Sequence, residues 1–236
     1  MARLPRLAIA GQAHLLWLRG HNGQAVFADA ADRHAFLAVL NAACKQHEVA
    51  LHAYALLSSE VWIVATPTAT SGLSRAMQAL GRRYAAAFNR RHARRGSLWD
   101  GRYRAAVIEA GACALAAMLF VDQAPTRNED SLPPDAEAWT SARQHIGAES
   151  QPLLSDMAVY WNLGNTPFDR AAAYRQLLQD PLPRSHVDAY VAAVRRGWVV
   201  GSSDFAEKLE LATSRPVTPR PRGRPRKART GAAVGE

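Results

Sequence analysis

Hydrophobic positions recur with two different spacings along the first half of the chain, which indicates both strands and helices. The pattern predicts strands at residues 14–18, 49–57, 61–65 and within 98–109, and helices at residues 29–48, 72–95 and 113–122. In chain order these elements run strand, helix, strand, strand, helix, strand, which is the order of a ferredoxin-like split βαβ sheet. We therefore predict an α+β fold with an antiparallel sheet and its helices on one face.

The pattern changes after residue 127, where apolar runs give way to a polar, proline-containing linker. Three shorter helical segments follow, and Thr166, Ser185 and Ser203 are their expected N-caps. We predict three regions: a sheet domain at residues 1–127, a linker and small all-α module at 128–213, and a disordered basic tail at 214–236.

The composition gives the chain a strong positive charge. The 236 residues carry a formal net charge of +9, and most of the excess comes from arginine. Guanidinium groups bind phosphate in a forked geometry, so a nucleic-acid partner is favoured, although an anionic membrane surface would attract the same charge. No apolar run is long enough to span a membrane and the first residues lack a signal-peptide pattern. We expect a cytoplasmic, nucleoid-associated protein.

The predicted long helix carries seven arginines, and no acidic residue lies between residues 72 and 95. A solvated helix face normally mixes both signs of charge, so an all-positive run indicates a polyanionic partner. The alternative is a basic face that is merely exposed. The predicted phosphate-binding residues of this helix and the following strand are Arg75, Arg82, Arg83, Arg90, Arg91, Arg94, Arg95, Arg102 and Arg104.

The tail contains a second basic motif at residues 221–227, which resembles an AT-hook. In such a motif glycine lets the backbone approach the floor of a narrow groove, and the arginines enter the negative potential of A·T-rich minor grooves. The alternative is a basic tail without groove selectivity. The residues predicted to contact A·T-rich duplex are Arg222, Gly223, Arg224, Arg226 and Lys227.

Six further sequence blocks are informative together, at residues 51–54, 81–92, 96–103, 138–143, 197–198 and 223–227. These blocks resemble REP-associated tyrosine transposases, which belong to the single-tyrosine HUH transposases of bacterial insertion sequences. The resemblance covers nearly the whole chain and is consistent with the ferredoxin-like sheet. It implies that the protein recognises single-stranded DNA or DNA hairpins of repetitive palindromic elements.

The family's chemistry requires two histidines on one strand, a divalent ion such as Mg²⁺ or Mn²⁺ and a nucleophilic tyrosine that precedes an Asn-Pro step. In this chain Glu60 and Trp62 stand at the two histidine positions, Phe120 stands at the tyrosine position and Ala124 at the asparagine position. Phenylalanine has no oxygen that could attack a phosphate. We therefore expect a transposase-family DNA-binding protein without catalytic residues and without a bound metal.

Two alternatives remain open. Glu60 and Asp122 would form a carboxylate site for Mg²⁺ if they converged, which would give an active nickase with a rebuilt metal site. The chain would otherwise be a decayed transposase remnant without a selected role.

Overall fold

The computed structural model describes residues 6–127 and 139–219. Its strands are β1 (Ala13–Arg19), β2 (Val49–Leu56), β3 (Glu60–Pro67), β4 (Arg104–Ile108) and β5 (Val199–Val200). Its helices are α1 (Ala30–Gln46), α2 (Gly72–Arg91), α3 (Ala112–Asp122), α4 (Ala124–Arg127), α5 (Ala142–His145), α6 (Ala158–Trp161), α7 (Pro167–Gln179), α8 (Arg184–Arg196) and α9 (Ser203–Thr213).

The strands form one sheet in the order β2-β3-β1-β4-β5. The first four are paired antiparallel, α1 connects β1 to β2, and α2 connects β3 to β4. This order and these connections are those of a split βαβ sheet, so the predicted α+β class with an antiparallel sheet is confirmed. A two-residue strand, β5, extends the sheet by pairing parallel to β4, which the sequence pattern did not predict.

Both faces of the sheet are covered. Leu16 and Ile63 face α1 and α2, where they share one core with Phe36 and Tyr84. The opposite face packs against α3 and the C-terminal helices. The sequence predicted helices on one face, where α1 and α2 lie, and the structure adds the second layer. Burial on both faces explains why β1 is almost continuously apolar instead of alternating.

The helix boundaries differ from the predicted ones by a few residues. Helix α2 ends at Arg91, and Ala93 beyond it has a left-handed φ of 50°. Thr166 is confirmed as the N-cap of α7, in a capping box with Asp169. The prediction of Ser185 as a cap is wrong, because α8 begins at Arg184 after Pro183. The N-cap of α9 is Ser202, one residue before the predicted Ser203.

The two cysteines are free thiols within the described residues. Cys44 is buried, and this burial raises its pKa to about 12. Cys113 is half-buried. In residues 6–127 and 139–219, no helix combines the length and the apolar character that crossing a membrane requires.

Candidate nucleic-acid interface

The four positions at which the transposase resemblance implies catalytic residues come together in the structure. Glu60 and Trp62 on β3, Phe120 on α3 and Ala124 on α4 all line one pocket of about 430 Å³. Antiparallel pairing places Trp17 directly opposite Trp62, so that both indoles point to the same face of the sheet. The sequence blocks therefore identify positions that share one site in space.

Aromatic rings fill the floor of this pocket. The indoles of Trp17 and Trp62 are stacked, with 5.4 Å between ring centroids and an angle of 12° between ring planes. Phe120 meets Trp62 edge to face at 5.0 Å. These side chains are at most 7% exposed, so the three rings form a packed apolar cluster.

Glu60 is held against these rings. One carboxylate oxygen accepts a hydrogen bond from Nε1 of Trp17 at 2.8 Å, and the other accepts from Nε1 of Trp62 at 3.2 Å. Glu60 precedes Trp62 by two residues on β3, so period-two alternation puts both side chains on one face. The carboxylate therefore serves to orient two indoles.

Asp122 is part of a separate, buried hydrogen-bond network. Its carboxylate accepts from the hydroxyl of Ser141, from Nδ1 of His145 at 2.7 Å and from the hydroxyl of Tyr174 at 2.7 Å. Burial and the adjacent carboxylate raise the pKa of Tyr174 well above its ordinary value. The network joins α3 to α5 and α7, and so attaches the C-terminal helices to the sheet domain.

This network bears on the alternative of a carboxylate metal site. Asp122 does not line the pocket that contains Glu60, and its oxygens already accept three hydrogen bonds. Across residues 6–127 and 139–219, no group of three or more His, Cys, Asp or Glu side chains is placed to hold a metal ion. The arrangement that a Glu60–Asp122 site requires is therefore not formed.

Arg127 closes one side of the pocket. Its guanidinium lies over the Phe120 ring at 4.1 Å and donates a hydrogen bond from Nη2 to the Phe120 carbonyl oxygen. Burial lowers the pKa of Arg127 to about 10, against the opposing effect of Glu60, so the side chain stays charged at neutral pH. Its Nη1 is buried and has no hydrogen-bond partner among residues 6–127 and 139–219.

On the opposite face of the sheet, helix α2 divides its residues sharply between core and surface. Leu73, Met77, Leu80, Tyr84 and Phe88 are buried at three- and four-residue spacing, as the sequence pattern predicts. The arginines therefore point outward, and Arg75, Arg82, Arg83, Arg90 and Arg95 are exposed.

Three of the predicted arginines meet in one groove of about 580 Å³ beside α2. Arg75 and Arg82 from α2 and Arg102 from the segment before β4 line it, together with Trp99 and Tyr103. Arg6 also lines the groove, stacks on Tyr103 at 4.2 Å and donates from Nε to the Tyr103 carbonyl oxygen at 2.8 Å. We call this surface the basic groove; interleaved arginine and aromatic side chains are typical of nucleic-acid sites.

The basic groove continues along α2 toward α1. Arg75, Arg82 and Arg83 line an adjoining depression together with Gln46 and His47 from the end of α1. The two depressions share two of the three arginines, so the exposed charge forms one continuous surface. Sequence reasoning missed Arg6 and the two aromatic residues of the groove, although their position within an arginine-rich block was a usable signal.

Arg91 is paired with acidic side chains, whereas the sequence predicted that the arginines of this helix have no acidic partners. Its guanidinium pairs at 2.6 Å with Asp29, the N-cap of α1, and also with Asp32 in the first turn of that helix. Hydrogen bonds from Arg91 and from the backbone hold the pKa of Asp29 well below its usual range. The acidic partners were missed because they come from another helix, 62 and 59 residues earlier in the chain.

Two more predicted arginines have other neighbours. Arg94 donates to the Gln24 side chain at 2.8 Å and lies over Phe88 at 5.7 Å. Arg104 points to the other face of the sheet, where it lies over Trp17 at 5.3 Å. The tail residues Arg222, Gly223, Arg224, Arg226 and Lys227 lie outside the described residues.

Comparison with known proteins agrees with this architecture. The structure of a REP-associated tyrosine transposase bound to a REP hairpin superposes with a TM-score of 0.52 at 11% sequence identity, covering 67% of this chain and 93% of that one. A protein of Deinococcus radiodurans R1 assigned as a transposase gives a TM-score of 0.34 at 19% identity, covering 56% of this chain and 100% of that one. No family model and no curated protein matches the sequence. At this identity the first likeness establishes a shared fold.

Proposed function

We propose that this chain is a DNA-binding protein on a transposase-like fold, which binds hairpin or single-stranded DNA and does not cut it. The observation that carries the proposal is the basic groove, in which arginines from three parts of the chain surround two partly buried aromatic side chains. Phosphates would contact the guanidinium groups, while Trp99 and Tyr103 offer ring surface to unpaired bases. The shared fold with a hairpin-bound transposase supports the same partner class.

The absence of cutting follows from the chemistry of the replaced positions. Cleavage by this fold family requires a tyrosine oxygen, and Phe120 supplies a ring that is packed edge to face on Trp62. The two metal-ligand positions hold an indole and a carboxylate that accepts hydrogen bonds from two indoles. Among the described residues that line this pocket, none carries a hydroxyl or thiol group that could attack a phosphate.

Each of the three predicted regions would have its own role in DNA binding. Residues 1–127 would bind the hairpin, and the helices within residues 128–213 would support the far side of the sheet. The tail, through Arg222, Gly223, Arg224, Arg226 and Lys227, would contact flanking A·T-rich duplex. Truncation before residue 214 should therefore weaken binding to a hairpin with an A·T-rich flank more than binding to the same hairpin with a G·C-rich flank.

The groove is tested by fluorescence anisotropy of a labelled palindromic hairpin over a range of salt concentrations. We expect Arg82→Ala and Arg102→Ala each to weaken binding and to reduce the salt dependence by about one counterion. Arg175→Ala removes the same charge from an exposed position on α7 and should leave the affinity and its salt dependence unchanged. A wild-type protein that binds no hairpin or duplex DNA at low salt would refute the proposal.

A further inference from the structure

Helix α2 forms a ridge between the basic groove and the adjoining depression at the end of α1. Arg75, Gln78 and Arg82 line both of these depressions, and all three side chains are exposed. They are spaced by three and four residues, so they form one stripe along the helix, which we call the α2 ridge. Ala79 in the adjoining depression and Ala85 in the basic groove flank this stripe with small side chains. The long side chains of the α2 ridge therefore project beyond their immediate neighbours on the helix.

The polar groups of the α2 ridge are available to a ligand. None of its three side chains makes a hydrogen bond or an ion pair with another residue in 6–127 or 139–219. Arg83 differs, because it donates from Nη2 to Oε1 of Gln46 at 3.2 Å and is thereby positioned at the adjoining depression. The surface of α2 therefore combines three side chains without an internal partner and one arginine whose position is supported by α1.

The depressions on both sides of the α2 ridge favour an anion. The basic groove adds Arg6 and Arg102 to the ridge arginines, and the adjoining depression adds Arg83. Among the described residues that line the two depressions, none is acidic. A helix with its side chains is about 10–12 Å across, and the major groove of B-form DNA is about 12 Å wide. A helical ridge with a cationic depression on either side therefore matches a major groove and the two phosphate backbones that border it.

We propose that the α2 ridge enters the major groove of the paired stem of a DNA hairpin and reads its base sequence. Arg75 and Arg82 would each donate two hydrogen bonds to O6 and N7 of a guanine, and Gln78 would bond to N6 and N7 of an adenine. Arg83 would contact a phosphate and so fix the position of the helix in the groove. The inference rests on the proposed DNA-binding function, to which it adds the part of the hairpin that α2 contacts and the residues that determine sequence preference.

The test uses hairpins with one fixed loop and a stem that the full-length protein itself selects. Tight binders are selected from hairpins whose stem pairs are randomised, and one selected stem is then synthesised with 7-deazapurines, which keep their base pairing but lack the N7 acceptor in the major groove. A second stem carries inosine in place of guanine, which removes the amino group in the minor groove. In fluorescence anisotropy, we expect the 7-deazapurine stem to bind about tenfold more weakly than the unmodified stem, and the inosine stem to bind within about twofold of it.

Variants of exposed residues separate base contacts from phosphate contacts. Gln78→Ala should bind the unmodified stem more weakly and lose part of the 7-deazapurine effect, because it removes one reader of an N7 atom. Gln176→Ala changes an exposed glutamine on α7 and should match wild type on both stems. Arg83→Ala should weaken binding to the unmodified and the 7-deazapurine stems by the same factor, since its partner is a phosphate.

Several results would overturn the α2 ridge as a reader of bases. They are a selection that yields no preferred stem, a 7-deazapurine stem that binds as tightly as the unmodified one, and a full 7-deazapurine effect in both Gln78→Ala and Arg82→Ala. An inosine stem that loses as much affinity as the 7-deazapurine stem would indicate minor-groove contacts and overturn it as well. In each of these cases the protein still binds a hairpin, so the proposed function stands. Wild-type protein that binds no hairpin at all would refute the proposed function and this inference together.

Discussion

Removing the carboxylate of Asp122 should destabilise the protein more than any other single change in the buried polar network. The Asp122→Ala variant would leave three donors without their acceptor: the hydroxyls of Ser141 and Tyr174 and Nδ1 of His145. The side chains of Asp122 and His145 are 0% and 2% exposed, so water does not reach these donors in the folded protein.

The expected loss follows from the number of donors and their burial. Each buried donor that is left without a partner costs about 1–3 kcal/mol of folding stability. The hydroxyl groups of Ser141 and Tyr174 can rotate and recover part of the lost free energy. We therefore expect Asp122→Ala to lower the free energy of unfolding by about 3–5 kcal/mol in total. That is a large fraction of the roughly 5–15 kcal/mol by which a domain is stable.

Urea unfolding followed by circular dichroism measures this loss directly. Asp122→Asn should lose less than Asp122→Ala, because the amide keeps one acceptor oxygen and its nitrogen can donate to Ser141. Asp100→Ala is the matched control, since Asp100 is exposed, and we expect it within about 0.5 kcal/mol of wild type. If Asp122→Ala unfolds within about 1 kcal/mol of wild type, the network does not hold the C-terminal helices to the sheet and the reasoning is wrong.

Three further predictions concern buried and paired side chains. Burial lowers the pKa of His14 in the folded protein to about 4. As the pH falls from about 6.5, the unfolded chain therefore binds a proton before the folded protein does, and the free energy of unfolding should decrease by about 3 kcal/mol by pH 4. Urea unfolding measured across this pH range should show a smaller decrease for His14→Gln. Arg91→Ala should lower Tm because it breaks two ion pairs with α1, whereas Arg90→Ala should leave Tm unchanged and weaken DNA binding in the anisotropy assay. Glu60→Ala should cost about 1–3 kcal/mol and change the tryptophan emission spectrum, since two indole N–H groups lose their acceptor; an unchanged spectrum would contradict this role.

Local sequence patterns predicted most of the fold. The spacing of Leu80, Tyr84 and Phe88 predicted one face of α2, and all three side chains are buried in the core. Element order then determined the sheet, because two β-α-β units that share an antiparallel sheet leave few possible arrangements. Element ends were less accurate: α2 stops at Arg91, where neither charge nor apolar spacing marks a boundary.

Contacts between distant segments were not predictable from local patterns. The Asp29 partner of Arg91 lies 62 residues away, and Tyr174 lies 52 residues from Asp122. Arg195 reaches the pocket that contains Glu60 and Phe120 because α8 packs on the sheet, a contact that no periodicity encodes. The resemblance to transposases pointed to the positions of Glu60 and Phe120, but the structure was needed to show that indoles and arginines now surround them.

We propose that this protein binds DNA without cutting it, and one experiment tests both the binding and the absence of cleavage. A labelled palindromic hairpin with single-stranded and A·T-rich flanks is incubated with the protein and Mg²⁺ or Mn²⁺, then divided between a native gel and a denaturing gel. We predict a retarded complex on the native gel that weakens steeply with salt, and intact, protein-free DNA on the denaturing gel. A shortened strand or a covalent protein–DNA adduct that survives denaturation would contradict the account.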